Sequence, residues 1–324
     1  MTAADRPAIG GTFAARSVMV ILLGGLLLAA CSDPETTAEA TAGSRAATTT
    51  TTKTDPTAPI ATSSAPDPST TTTMAPDPSG PADPLVGSGP YVALGSSYAA
   101  GTGSGPYIDI ACGRGELSYP RRVAATTGLA LIDASCGGAH VDHVVSVGQV
   151  TGVVDHAPQI DWLPDDATIV TVTAGGNDMG YVGSLLQCHQ GCPGHLLDDE
   201  SSRDRRFADL TDELVAMLRR VSERAPGARV ILVGYPRLFE SPEVECAPLS
   251  REETRFFFDV GERLQRAFVE AAETAGVAYV DPYLTFAGHG VCAPMADRWV
   301  EGVDARPGGA SWHPNPVGAA ALAD

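Results

Sequence analysis

Three short blocks carry the side chains that could do chemistry. Ser96 and Ser97 follow an apolar run, Tyr91 to Leu94, that halts at Gly95. Gly175, Gly176, Asn177 and Asp178 follow a second apolar run, and His313 precedes Pro314 and Asn315. A serine hydroxyl attacks an ester only when a base removes its proton and fixed donors stabilise the oxyanion that forms. An imidazole titrates near neutral pH, so it can accept that proton and return it to a leaving alcohol. Each block alone also has an ordinary structural reading. The serines could cap a helix, the Gly-Gly-Asn-Asp stretch could be a turn whose Asn tolerates left-handed geometry, and a histidine beside proline could sit on the surface.

The elements that must position these blocks alternate along the chain. Apolar, β-rich runs occur at Tyr91 to Leu94, Ala130 to Ile132, Thr168 to Val172, Arg229 to Val233 and Val277 to Val280. Between them Phe207, Leu210, Leu214, Met217, Leu218 and Val221 recur at helical spacing, as do Phe256, Phe257, Val260, Leu264, Phe268 and Ala271. Ser250 and Glu253 have the spacing of a capping box, and Gly276 stops the second helix. Strands alternating with helices predict a parallel sheet covered on both faces, with ligands bound outside the carboxyl ends of its strands. The runs ending at Gly95 and at Thr173 should therefore open onto one edge.

Taken together, Gly-Ser-Ser-Tyr from Gly95, Gly-Gly-Asn-Asp from Gly175 and Ser-Trp-His-Pro-Asn from Ser311 resemble the SGNH (GDSL-type) hydrolase family. The likeness covers essentially all of residues 87–324 and implies a three-layer α/β/α flavodoxin-like fold and a serine esterase or lipase that needs no metal or organic cofactor. It places the nucleophile at Ser97, with Ser96 where the family has Asp, and the base at His313. It implies an oxyanion hole of the Ser97 and Gly138 backbone N–H groups and the Asn177 amide. It also implies disulfides joining Cys112 to Cys136, Cys188 to Cys192 and Cys246 to Cys292. The sequence departs from the family at the third member of the triad. Ala310 stands where Asp is common, and no carboxylate occurs between Asp304 and His313. A backbone carbonyl in the Ala310 to Trp312 turn is the expected orienting group, with Asp281, Asp297 and Asp304 as the carboxylates to test.

The N-terminus has another purpose. Arg6 and Arg16 precede an apolar stretch from Val18 to Leu28, and Leu-Ala-Ala-Cys follows from Leu28. This resembles a bacterial lipoprotein signal over residues 1–30, cleaved before Cys31, whose sulfur would carry lipid; simple secretion is the second reading. Residues 31–86 are rich in Thr, Pro, Ala, Ser and Asp and cannot bury enough apolar surface to offset ordering, so they read as a linker, glycosylated or bare. The chain is expected to be exported and lipid-anchored on the outer face of the cell membrane through Cys31, as a monomer. A net charge of -18 argues against a nucleic-acid partner, because phosphate contact needs clustered Lys and Arg. The charge suits a neutral or cationic small substrate, and the family resemblance implies a small-molecule ester or lipid. Leaving out Cys31, six cysteines in an exported chain read as three disulfides. Zinc at Cys188, His189, Cys192 and His195 is the weaker alternative, since oxidation competes for the thiolates.

An α/β-hydrolase is set aside on order, because Ser97 follows the first strand rather than a later one. From a different functional class, a catalytically silent lipid- or glycan-binding protein would also suit the substitution at Ser96 and the missing acid. His140 and His143 share a helical spacing that could hold a metal but read first as solvated, Asp178 reads as a loop anchor, and Trp162 and Trp299 as core. Tyr98 either packs on the sheet or touches substrate, and Trp312 is either core or acyl-pocket lining. Acyl length and alcohol part are not encoded in any of these residues.

Overall fold

A computed structural model describes residues 87–188, 192 and 200–324. The signal, the linker and Cys31, together with His189 and His195, lie outside the described residues. Five parallel strands make the sheet: β1 (Tyr91–Gly95), β2 (Leu131–Asp133), β3 (Ile169–Thr173), β4 (Arg229–Val233) and β5 (Ala278–Val280). Their order is β2-β1-β3-β4-β5. The register pairs Tyr91 with Leu131 on one side and with Ile169 on the other. The second strand begins one residue later than the apolar run suggests.

Every residue of β1 and of β3 is buried, as central parallel strands require when helices cover both faces. Alternation along β1 divides the layers. Val92 and Leu94 join the large core with Leu214 and Phe268, whereas Tyr91 and Ala93 pack on the other face beside Val123 and Ala124. The helices are α1 (Ser97–Ala100), α2 (Tyr119–Thr127), α3 (Val141–Val145), α4 (Tyr181–Cys188), α5 (Glu200–Arg224), α6 (Arg251–Ala275), α7 (Pro282–Thr285) and α8 (Pro316–Ala321). Helix α5 buries Phe207, Leu210, Leu214, Met217, Leu218 and Val221. Helix α6 starts with Ser250 and Glu253 each accepting the other's backbone N–H, at 3.3 and 2.7 Å, and ends at Gly276 with φ +72°.

Two antiparallel hairpins extend the carboxyl edge of the sheet, Tyr107–Asp109 with Arg114–Gly115 and Gln149–Thr151 with Val154–His156. Strands of two or three residues leave no periodic signal, so the sequence pattern does not reveal them. The structure bonds Cys112 to Cys136, Cys188 to Cys192 and Cys246 to Cys292. With their sulfurs joined, Cys188 and Cys192 offer no thiolate to zinc. The first disulfide ties one hairpin to the loop after β2.

Candidate active site

The first block owes its shape to Gly95. Its φ is +125°, and a Cβ there would stand 2.2 Å from the Thr173 carbonyl oxygen, so only glycine lets β1 end this close to β3. Ser96 then donates its N–H to Thr173 at 2.7 Å, and Ser97 opens α1. The two hydroxyls part company here. Ser96 is 1% exposed, and its hydroxyl lies 3.1 Å from the Tyr235 hydroxyl, which also accepts the Gly176 N–H at 3.1 Å. Burial raises the Tyr235 hydroxyl to a pKa of about 12, so it stays neutral. Ser96 is therefore a structural tie between the ends of β1 and β3.

Ser97 meets the imidazole. His313 Nε2 lies 2.8 Å from Ser97 Oγ, and His313 Nδ1 lies 2.8 Å from the Ser311 carbonyl oxygen. A carbonyl can only accept, so Nδ1 carries the proton and donates, which leaves the Nε2 lone pair facing the serine hydroxyl. Burial lowers the His313 pKa below its ordinary 6.5, against the smaller opposing pull of the Ser311 carbonyl. The ring is neutral at pH 7.

No carboxylate among the described residues bonds to His313. Asp281 caps α7 through the Tyr283 N–H at 2.9 Å and accepts the Gln265 amide at 3.1 Å. Asp304 pairs with Arg298, which holds its carboxyl below the usual range, and Asp297 meets His289 only through its backbone carbonyl. The orienting role falls to a turn instead. Trp312 has φ +66°, a left-handed conformation rarely adopted by bulky residues. Glu301 straps this turn by accepting the Trp312 N–H at 2.8 Å and donating to the His313 carbonyl at 2.9 Å. The Tyr98 hydroxyl donates to the Trp312 carbonyl, so α1 holds the base as well as the serine.

The turn after β2 carries the next expected donor. Gly138 has φ +78°, with no atom nearer than 3.6 Å to where a Cβ would stand, so backbone conformation rather than crowding selects glycine. Asn177 donates one amide hydrogen to the Ala139 carbonyl at 2.8 Å, which ties the turns after β2 and β3 together. Neither the Ser97 nor the Gly138 N–H donates to another group among the described residues. Asp178 accepts the Val141 N–H at 3.1 Å and anchors α3. His143 Nδ1 accepts the His140 N–H at 2.9 Å, so this pair organises a helix start.

Three expectations are settled by burial. Tyr98 and Trp312 are each 2% exposed and belong to the core, whereas Trp162 is 60% exposed and does not. Sequence reasoning missed Tyr235 and Gln159. Gln159 accepts the Gly95 N–H at 2.6 Å and donates to the Gly95 carbonyl at 3.0 Å, replacing a strand neighbour where β1 ends. Both partners lie 64 or more residues away in sequence, and no local pattern marks them.

A doubly wound sheet of this order, with a serine and a neutral imidazole in contact at its carboxyl edge, is the architecture of a serine hydrolase. The chain belongs to the GDSL-like lipase/acylhydrolase family, whose sequence profile matches residues 93–321, and it is accordingly a carboxylic ester hydrolase. It is 33% identical over 251 residues to Lipase 2 of Streptomyces coelicolor, covering 72% of this chain and 83% of that one. An esterase of Streptomyces scabiei is 29% identical over 269 residues, covering 69% and 76%. Among solved structures, an extracellular lipase of Streptomyces rimosus superposes with a TM-score of 0.56 at 28% identity, covering 71% of this chain and 94% of that one. Phospholipase A1 of Streptomyces albidoflavus does so at 0.57 and 27%, covering 72% and 95%.

Proposed function

We propose that the enzyme hydrolyses esters through an acyl-enzyme on Ser97, with His313 as base. Ser97 Oγ attacks the ester carbonyl carbon while His313 Nε2 takes its proton. The resulting oxyanion is received by the Ser97 and Gly138 N–H groups and the Asn177 amide. Collapse breaks the bond to the alkoxy oxygen, and the imidazolium protonates the departing alcohol. Water then attacks the acyl-enzyme with His313 again as base, releasing the acid and restoring the serine. No step calls for a metal or organic cofactor. The observation that carries this reading is the run of two 2.8 Å contacts, Ser311 carbonyl to Nδ1 and Nε2 to Ser97 Oγ. A silent binding protein would have no use for an imidazole held in that tautomer.

The substrate class is a lipid or an acylated glycan. Three disulfides and the resemblance to a lipase described as extracellular support export, and Leu28 to Cys31 support lipid attachment at Cys31. No helix among the described residues is long and apolar enough to cross a membrane. The test is hydrolysis of aryl esters of increasing acyl length by the parent and by Ser97→Ala and His313→Ala. Both substitutions are expected to abolish turnover at every length; retention of turnover in either overturns the mechanism. Fatty-acid labelling that survives Cys31→Ser would overturn the anchor.

A further inference from the structure

We propose that the two hairpins flanking the oxyanion turn form a docking surface for an uncharged lipid surface, from which the ester is taken. The inference rests on the esterase reading and adds how substrate is presented. Nine of the sixteen strongly exposed large apolar side chains lie between residues 107 and 162, about a quarter of the described chain. The foremost are Val153 at 99% exposed, Ile110 at 85%, Val150 at 69% and Trp162 at 60%. Apolar side chains gathered in this way mark an interaction site, and tryptophan favours the boundary between lipid and water.

Both hairpins are fastened to the turn that carries Gly138. Cys112 is bonded to Cys136 and accepts the Gly137 N–H at 2.8 Å, and Gln149 donates to the Gly137 carbonyl at 2.7 Å. Cys112 Sγ and His156 Nε2, one from each hairpin, approach to 3.7 Å. A surface seated on the hairpins is thus seated beside the oxyanion donors.

A second observation selects the chemistry of that surface. Between the hairpins lies a cavity of about 170 Å³, lined by Asp133, Gln149, Arg114 and Trp162 among others. The Asp133 side chain is 6% exposed and Gln149 is 9% exposed, yet Asp133 Oδ2 and Gln149 Oε1 have no hydrogen-bond partner among the described residues. Two buried acceptors call for donors. Arg114 already pairs with Asp109 at 3.0 Å and lies 3.8 Å from Asp133, so a further cation is disfavoured and hydroxyl donors are accommodated. The carboxylates here, in a chain of net charge -18, repel an anionic bilayer. Exposed apolar tips around hydroxyl-seeking acceptors fit a neutral lipid whose polar part carries hydroxyls.

The test uses the full chain with Cys31→Ser, so that no attached lipid contributes, alone and with Ile110→Asp and Val153→Asp together. Turnover on a dispersion of monoolein, an uncharged lipid whose glycerol keeps two free hydroxyls, is divided by turnover on soluble p-nitrophenyl acetate, and co-sedimentation with the dispersion is measured in parallel. Changing these two exposed apolar tips to carboxylates, which would have to leave water to enter the lipid, is expected to lower the ratio and the bound fraction by about tenfold or more. An unchanged ratio and unchanged sedimentation would overturn the proposal. Sedimentation on phosphatidylcholine vesicles that rises with added phosphatidylglycerol would overturn the assignment to uncharged lipid. Hydrolysis and sedimentation are both repeated in Ser97→Ala: retained hydrolysis there would remove Ser97 as the nucleophile, while binding would still decide the surface.

Discussion

Replacing Tyr98 by Phe removes one hydroxyl and leaves the ring packed between Tyr235 and His313, whose ring centroids are 4.7 and 5.1 Å away. That hydroxyl is the donor to the Trp312 carbonyl, in a residue 2% exposed, so its loss strands a buried acceptor at a cost of about 1–3 kcal/mol. Trp312 resists its own conformation: φ +66° costs a non-glycine residue about 1–2 kcal/mol. The two remaining bonds to Glu301 contribute about 0.5–1.5 kcal/mol each, which only just balances that strain. The turn should then sample other conformations, and the imidazole with it. A displacement near 1 Å in a reacting group costs about 100-fold in rate. Tyr98→Phe is therefore expected to slow acylation of Ser97 by about 10- to 100-fold, through the turn rather than through substrate contact. It should also lower Tm by about 4–8 °C, the shift for about 2 kcal/mol in a domain of this size. Stopped-flow acylation by an aryl ester and thermal unfolding read the two effects. A rate within about twofold of the parent together with an unmoved Tm would refute the claim that Tyr98 holds the turn.

The other predictions concern the same site. Asn177→Ala should reduce turnover by about 100- to 1000-fold, as loss of one oxyanion donor does, and the same assay within a few-fold of the parent would remove Asn177 from the hole. Asp281→Asn, Asp297→Asn and Asp304→Asn, made singly, should each retain activity, because none of the three carboxylates bonds to His313; collapse in any one would reveal a displaced acid. The acid limb of kcat/KM should be a single-proton titration with its midpoint below 6.5, since burial lowers His313 and only its neutral form accepts the serine proton. The linked stability has the same sign. The unfolded imidazole binds the proton first, so the stability present above 6.5 is lost as pH falls below it, and His313→Gln should flatten that loss in chemical unfolding.

What could be read in the sequence is what repeats or stops locally. Strands β1, β3 and β4 lie within a residue of their apolar runs because central parallel strands are buried on both faces and read as unbroken hydrophobic stretches. Ser250 and Glu253 showed the start of α6 because a capping box is complete within four residues. The chemistry-bearing blocks stood out because each follows a strand end or precedes a helix. The remainder depends on partners distant in sequence. The Tyr235 hydroxyl that engages Ser96 and the Gln159 amide that closes β1 have no local signature. Nor does the left-handed Trp312, which a sequence reader assigns to glycine or asparagine positions only. Trp162, expected in the core, instead ends a short 3₁₀ turn and is 60% exposed.

Ser96 and Ser97 are neighbours with opposite environments, one hydroxyl turned into the core toward Tyr235 and the other toward His313. The most direct measurement is peptide mass spectrometry after reaction with a fluorophosphonate, which traps an activated serine as a stable adduct. Modification is expected at Ser97 alone, in stoichiometric amount, and absent from His313→Ala. A label on Ser96, or an unlabelled protein that still hydrolyses esters, would contradict the account.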